Sequence, residues 1–158
     1  MMNLSAMSTE RVNPRTTELS SMSIREAIEV INQENYNSVK CIESQFDVLE
    51  KVIEITSEAL ERGGRIIYMG AGTSGRLGLL DAVECPPTFG VDFNTVIGLI
   101  AGGDQAFVKA VEGAEDSEEL GVGDLKRIHL NEKDVVIGLA ASGRTPYVIG
   151  GIEYAKKA

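Results

Sequence analysis

Two glutamates, Glu84 and Glu115, and two loops rich in glycine and hydroxyl side chains are the residues of this chain whose types and spacing could do chemistry. Leu77, Leu80 and Glu84 stand three and four apart, so Glu84 continues the apolar stripe of a helix. That helix is expected to end at Glu84, because Pro86-Pro87 lack the N–H groups and the freedom to continue it. Phe107, Val111 and Glu115 are spaced by fours and extend a second stripe. A carboxylate on a core-facing stripe is costly unless it is paired, neutral or turned to a cleft. Burial raises the pKa of such a group and suits it to general-acid or general-base work near neutrality. The bland alternative is a solvated helix end. Glu112 competes with Glu115, because Gly113 leaves the end of the second helix open.

The loops suggest what the carboxylates would act on. Gly70-Ala71-Gly72-Thr73-Ser74-Gly75-Arg76 follows one apolar run, and Ala141-Ser142-Gly143-Arg144-Thr145-Pro146 follows another. Glycines let backbone N–H groups approach an anion, the start of the next helix points further N–H groups at it, and Thr73, Ser74, Ser142 and Thr145 add hydroxyls. A phosphate-bearing ligand is the reading favoured over simple tight turns. With a net charge of −9, the affinity for an anion must come from this local geometry, since the overall field repels it. Gly70, Gly72 and Gly75 also match the G-x-G-x-x-G of dinucleotide sites. That reading needs an acidic residue at the end of the second strand, and Asp92 precedes its strand instead.

Other chemistries find less support. His129 is the only histidine, so a histidine cluster for a metal is excluded, and its bland reading as a boundary residue is preferred. Cys41 and Cys85 form no metal or redox spacing, and no basic neighbour activates Cys85. No metal is expected. The acidic balance argues against nucleic acid and anionic membrane as partners, and no segment approaches the roughly 18 apolar residues of a membrane span. Residues 1–15 are polar and lack a signal-peptide core, so a cytoplasmic location is expected.

The elements that must position these residues alternate strand with helix. Residues 1–22 read as irregular, with a turn at Asn13-Pro14. Ser23 and Glu26 have capping-box spacing, and Ile24, Ala27, Ile28 and Ile31 make a stripe behind them. Val39, Ile42, Phe46, Leu49, Ile53, Thr56 and Leu60 trace a second helix, which Gly63-Gly64 stops. Ile66–Met69, Val96–Ala101 and Val135–Ala141 are short apolar runs of the kind buried on both faces of a parallel sheet. Helices are expected over 74–83, 104–115, 116–127 and from Thr145-Pro146 onward. The fold class is therefore α/β: an N-terminal arm with helices over 1–62, then a parallel-sheet domain over 63–158. Three strands rarely complete a doubly wound domain, so the sheet is expected to be incomplete or to be completed by association.

The run from Arg65 through the glycine loop to Asp81-Ala82-Val83-Glu84-Cys85-Pro86-Pro87-Thr88-Phe89-Gly90 resembles the N-acetylmuramic acid 6-phosphate etherases. So do Gly98–Gly103, Ala110–Asp116, Gly138–Tyr147 and the N-terminal Thr9–Pro14. The resemblance implies a sugar isomerase (SIS) domain, a flavodoxin-like parallel-sheet sandwich that binds phosphosugars and usually forms a homodimer. It implies a reaction that turns N-acetylmuramate 6-phosphate and water into N-acetylglucosamine 6-phosphate and D-lactate, in the recycling of cell-wall sugar. By motif, the family's two acid–base glutamates fall on Glu84 and Glu115. The phosphate would be held by Gly72, Thr73, Ser74, Gly75, Arg76, Ser142, Gly143, Arg144 and Thr145. Ring opening exposes an aldehyde at C1 that acidifies the C2 hydrogen. A base removes it while an acid protonates the lactate oxygen leaving C3, and water then adds, so no cofactor is required. Glu84 is assigned the acid role and Glu115 the base. Related activities that share the loops are aldose–ketose isomerisation and phosphosugar sensing without turnover.

Overall fold

The computed structural model describes residues 8–158; expectations for residues 1–7 lie outside it. The chain divides into two compact units, Met1–Ile53 and Glu54–Ala158.

In the first unit, Asn13 opens a turn as expected, its carbonyl accepting from the Thr16 N–H at 3.0 Å. Helix α1 spans Ile24–Ile42 behind a complete capping box. Ser23 Oγ accepts from the Glu26 N–H at 3.3 Å, and the Ser23 N–H donates to the Glu26 carboxylate at 2.8 Å. The Ser23 hydroxyl, which donates to the Glu26 carboxylate at 2.7 Å, and then the Ser23 N–H hold this exposed carboxyl below its usual pKa. One boundary differs from the periodicity: Val39 and Ile42 belong to α1, and helix α2, which begins in this unit and ends in the next, spans Phe46–Glu61 after a 3-10 turn at Glu43–Gln45. The Ser44 hydroxyl donates to the Cys41 carbonyl at 2.8 Å, and the Glu43 N–H turns to Lys40, so tighter bonds replace the α pattern there.

In the second unit, strands β1 (Ile66–Gly70), β2 (Val96–Ile100) and β3 (Val135–Leu139) form a parallel sheet in the order β2-β1-β3. This confirms the α/β class and the three expected strands. Register pairs Gly70 with Ile100 on one side and Leu139 on the other, so all three strands end at the same edge. Between them lie α3 (Gly72–Phe89), α4 (Gln105–Val108) and α5 (Glu118–Arg127), and α6 (Pro146–Ala155) follows β3. The core gathers Ile67, Met69, Leu99, Leu125, Tyr147 and Val148. Tyr147 is fully buried, and its hydroxyl donates to Asp124 Oδ2 at 2.6 Å, which fixes α6 on α5. Glycines allow that approach: a Cβ at Gly121 would collide with the Tyr147 carbonyl, and one at Gly150 would lie 2.7 Å from Glu118.

At the opposite, amino edge of the sheet, Arg65 and Asp134 clamp the starts of β1 and β3. Their side chains meet at 2.6 Å, and the guanidinium also donates to the carbonyls of Ile128 and His129. The Asp134 side chain is fully buried. Burial by itself raises this carboxyl, but the Arg65 guanidinium and the backbone N–H groups of Asn131 and Arg65 outweigh that and hold it low.

Two helices depart from expectation. Helix α3 does not stop at Glu84 but runs through Pro86 and Pro87 to Phe89, where Gly90 closes it in the left-handed region at φ 69°. Near a helix end the two prolines remove only donors to Ala82 and Val83, and their fixed φ is itself helical, so the helix continues. The stretch expected as a helix over 104–115 is instead the single turn α4, an extended Lys109 and a 3-10 turn at Ala114–Asp116. Gly113, at φ 76°, cannot propagate an α-helix.

Candidate active site

The carboxyl edge of the sheet brings together the loops after β1, β2 and β3, where parallel sheets hold their ligands. Helices α3 and α6 both begin there, and neither Ala71 nor Thr145 makes a side-chain cap bond. Helices α1 and α5 are capped by the hydroxyls of Ser23 and Ser117, although α5 too sets out from the carboxyl side after β2. The first N–H groups of α3 thus have no side-chain partner and present a partial positive charge at this edge, whereas α6 opens on Pro146, which has no N–H, and its Val148 N–H is already bonded to the Thr145 carbonyl. Such an arrangement accepts an anion.

The glycines of the first loop divide by role. Gly70 and Gly75 are needed for packing, because a Cβ on Gly75 would stand 2.6 Å from the Gly70 carbonyl oxygen. Gly72 is needed for conformation, with φ at 54° and open space around it. Thr73 is exposed and Ser74 half-buried beside it. In the second loop Gly143 is left-handed at φ 68°, and the Ser142 hydroxyl accepts from Arg144 Nε at 3.3 Å. The Thr145 carbonyl accepts from the N–H groups of Val148 and Ile149, both at 3.0 Å, so Thr145 anchors the first turn of α6.

A crevice of about 190 Å³ opens between the first loop and the segment after β2. Gly72, Arg76, Ala101, Glu112, Gly113 and Glu115 line it. Glu115 is therefore beside the glycine loop, but not by the reasoning that singled it out. It stands on a 3-10 turn, exposed, rather than on a core-facing helical stripe. Glu112 lines the same crevice, so both competing carboxylates are present.

Glu84 is elsewhere. It lies about three turns beyond Gly72, roughly 18 Å along α3 at 1.5 Å per residue. Its stripe also faces the other way from expectation: Leu77 is 60% and Leu80 48% exposed, while Gly75, Gly78 and Ala82 form the buried face. The small residues of α3 pack on the sheet because only they allow close approach; a Cβ on Gly78 would meet Tyr68 at 2.9 Å. Periodicity located the apolar stripe and could not tell which face the sheet covers.

Arg76, expected among the phosphate ligands, donates from Nε to the Phe107 carbonyl at 2.8 Å and from Nη2 to the Ala106 carbonyl at 2.7 Å. No sequence signal links positions 30 residues apart in this way. Below α3, Tyr68 is pushed up to about 12 by burial and by its hydrogen bond to Asp81. Burial, and then Asp81, raise the Cys85 thiol, which fits the inert reading of that cysteine. Asp92 orders the turn before β2, accepting from the Asn94 N–H at 2.8 Å, and so sits at the edge opposite the glycine loop. His129 occupies the left-handed position after α5, at φ 53°, where its N–H and that of Leu130 bond to the Lys126 and Leu125 carbonyls. That is a helix-terminating role.

A three-stranded parallel sheet with helices between its strands defines the class as a parallel α/β domain. The chain belongs to the glucokinase regulatory protein N-terminal SIS domain family, whose pattern matches residues 47–156. It is also 57% identical, over 98% of its length and 53% of the relative's, to an N-acetylmuramic acid 6-phosphate etherase of Francisella philomiragia. Relatives of the same name in Bacillus mycoides and Bacillus cereus are 59% and 58% identical, over 96% and 97% of this chain and 52% of theirs. The chain thus spans about half the length of these curated relatives.

Proposed function

We propose that the chain binds N-acetylmuramic acid 6-phosphate and takes part in cleaving its D-lactyl ether, yielding N-acetylglucosamine 6-phosphate and D-lactate. The observation that carries this reading is the uncapped start of α3 beside a crevice that holds a carboxylate, at the sheet edge where α6 also begins. The identity to etherases over nearly the whole chain supports the choice of substrate. The 6-phosphate lies on the N–H groups opening α3, with hydroxyls from Ser74, Ser142 and Thr145. The sugar's C2 and C3 then fall over the crevice, where Glu115 takes the C2 proton. The lactate oxygen leaving C3 requires an acid, and that role falls to Glu84.

Within a single chain, Glu84 lies roughly 18 Å along α3 from Gly72, whose crevice Glu115 lines, which is more than one sugar spans. A second copy resolves this. The exposed face of α3 runs Thr73, Leu77, Leu80, Glu84, Pro87. Two such helices paired antiparallel about a two-fold axis near Leu77 and Leu80 bury that apolar face, and each sets its Glu84 against the partner's glycine loop. The working form is then a homodimer with shared sites, acting in the cytoplasm on sugar recovered from cell wall.

A sensing role without turnover is the second reading, favoured by the regulatory protein that gives the matched family its description. Incubation with N-acetylmuramic acid 6-phosphate and enzymatic detection of D-lactate separates the two. Lactate appearing in step with N-acetylglucosamine 6-phosphate supports the etherase. Saturable binding with no lactate would replace it by the sensor.

A further inference from the structure

We propose that Arg76 is the positioning residue for the segment carrying Glu115, and not a ligand of the phosphate. The inference rests on reading the crevice as the site of ether cleavage.

Residues 101–117 hold the least regular backbone of their unit: one turn of helix, an extended Lys109, left-handed glycines at 102, 103 and 113, and a 3-10 turn. Packing anchors the segment at Ala106 and Ala114, both buried, while the exposed Val111 closes on Gly102 within it. Two side-chain hydrogen bonds from Arg76 reach this segment from 30 and 31 residues away in sequence, beside the local bond from the Gly103 N–H to the Ile100 carbonyl. They land on consecutive carbonyls in the single turn of α4, where the end of a helix leaves acceptors unsatisfied. Nε and Nη2 lie on one edge of the planar guanidinium, so both bonds form at once from a rigid fork. A lysine supplies the same charge without that fork. Arg76 lines the crevice together with Glu115, so the side chain that fixes the segment also borders the site. Releasing it frees the backbone from α4 to the 3-10 turn and lets Glu115 drift from the sugar's C2. Displacement of a catalytic group by about 1 Å is enough to cost on the order of 100-fold in rate.

The test compares R76K and R76A with the unaltered chain in two measurements. Steady-state D-lactate release gives kcat and KM. Hydrogen exchange reports the amides of Ala106, Phe107, Lys109, Ala114 and Asp116, each bonded within the segment. Positioning predicts that kcat falls about 100-fold in both variants while KM stays within about 3-fold. It also predicts faster exchange at those amides but not in β1, and partial recovery of both in R76A when guanidinium ion is added. The proposal is overturned if R76K behaves like the unaltered chain while R76A raises only KM, since charge alone would then suffice. It is equally overturned by unchanged exchange in the segment, or by loss of protection throughout β1 as well. An unaltered chain that releases no lactate would defeat the etherase reading, whereas the exchange comparison would still decide what Arg76 does.

Discussion

The Gly75 backbone lies so close to the Gly70 carbonyl that a single added methyl would stand 2.6 Å from its oxygen. The same methyl would meet the Ile100 side chain at 2.8 Å. Two of the three glycines that look like a phosphate signature are thus required by the fit of α3 against β1 and β2. Gly75→Ala must move backbone rather than a flexible side chain, so it should destabilise the chain by about 2–3 kcal/mol, the upper range for overpacking. Chemical denaturation measures this directly, and a change under about 0.5 kcal/mol would show that the helix start yields more readily than its packing indicates.

This division of labour explains what could be read in the residues alone. The strands were legible because continuous apolar runs such as Ile66–Met69 have one use in a chain of this kind, burial on both faces. The capping box at Ser23 was legible because it is purely local. The glutamates were singled out for lying on core-facing stripes, and the structure puts neither on one. Leu77, Leu80 and Glu84 do share a face, but the buried face is the one built from Gly75, Gly78 and Ala82, whose small side chains give no periodic signal. Phe107, Val111 and Glu115 keep helical spacing across a segment that Lys109 and Gly113 prevent from being a helix. The grip of Arg76 on α4 depends on tertiary placement and has no counterpart in local pattern.

Asp134 gives the chain a defined acid sensitivity. Its folded pKa is depressed, so its contribution is complete above the unfolded value of about 4 and is lost as pH falls through the lower folded value. Asp134→Asn should remove that step from a stability–pH profile and cost about 3 kcal/mol near neutrality, the low end for breaking a buried pair because Arg65 keeps some solvent. A profile between pH 2 and 7 that is unchanged by the substitution would contradict this role.

His129 carries a backbone conformation that suits glycine better. At φ 53° it closes α5 through the bonds from its own N–H and that of Leu130. His129→Gly should therefore leave turnover unchanged and raise stability by roughly 0.5–1 kcal/mol, the usual cost of a left-handed non-glycine residue offset by glycine's greater unfolded-state entropy. Loss of activity in this variant would instead give the imidazole a chemical role.

The apolar face of α3 predicts association. Leu80→Asp places a charge in the middle of that exposed stripe, between Leu77 and Glu84. Sedimentation velocity should show the unaltered chain as a dimer and L80D as a monomer with its secondary structure intact. A monomeric unaltered chain that is fully active would remove the need for a second copy.

Complementation between inactive variants probes the chemistry most directly. E84Q and E115Q should each bind the sugar phosphate and release almost no D-lactate. Mixed in equal amounts and allowed to exchange subunits, they should recover about a quarter of the unaltered activity, since half the dimers then hold one intact shared site. A mixture as inactive as its components, or full activity in either variant alone, would contradict the assignment of Glu84 and Glu115 to one reaction.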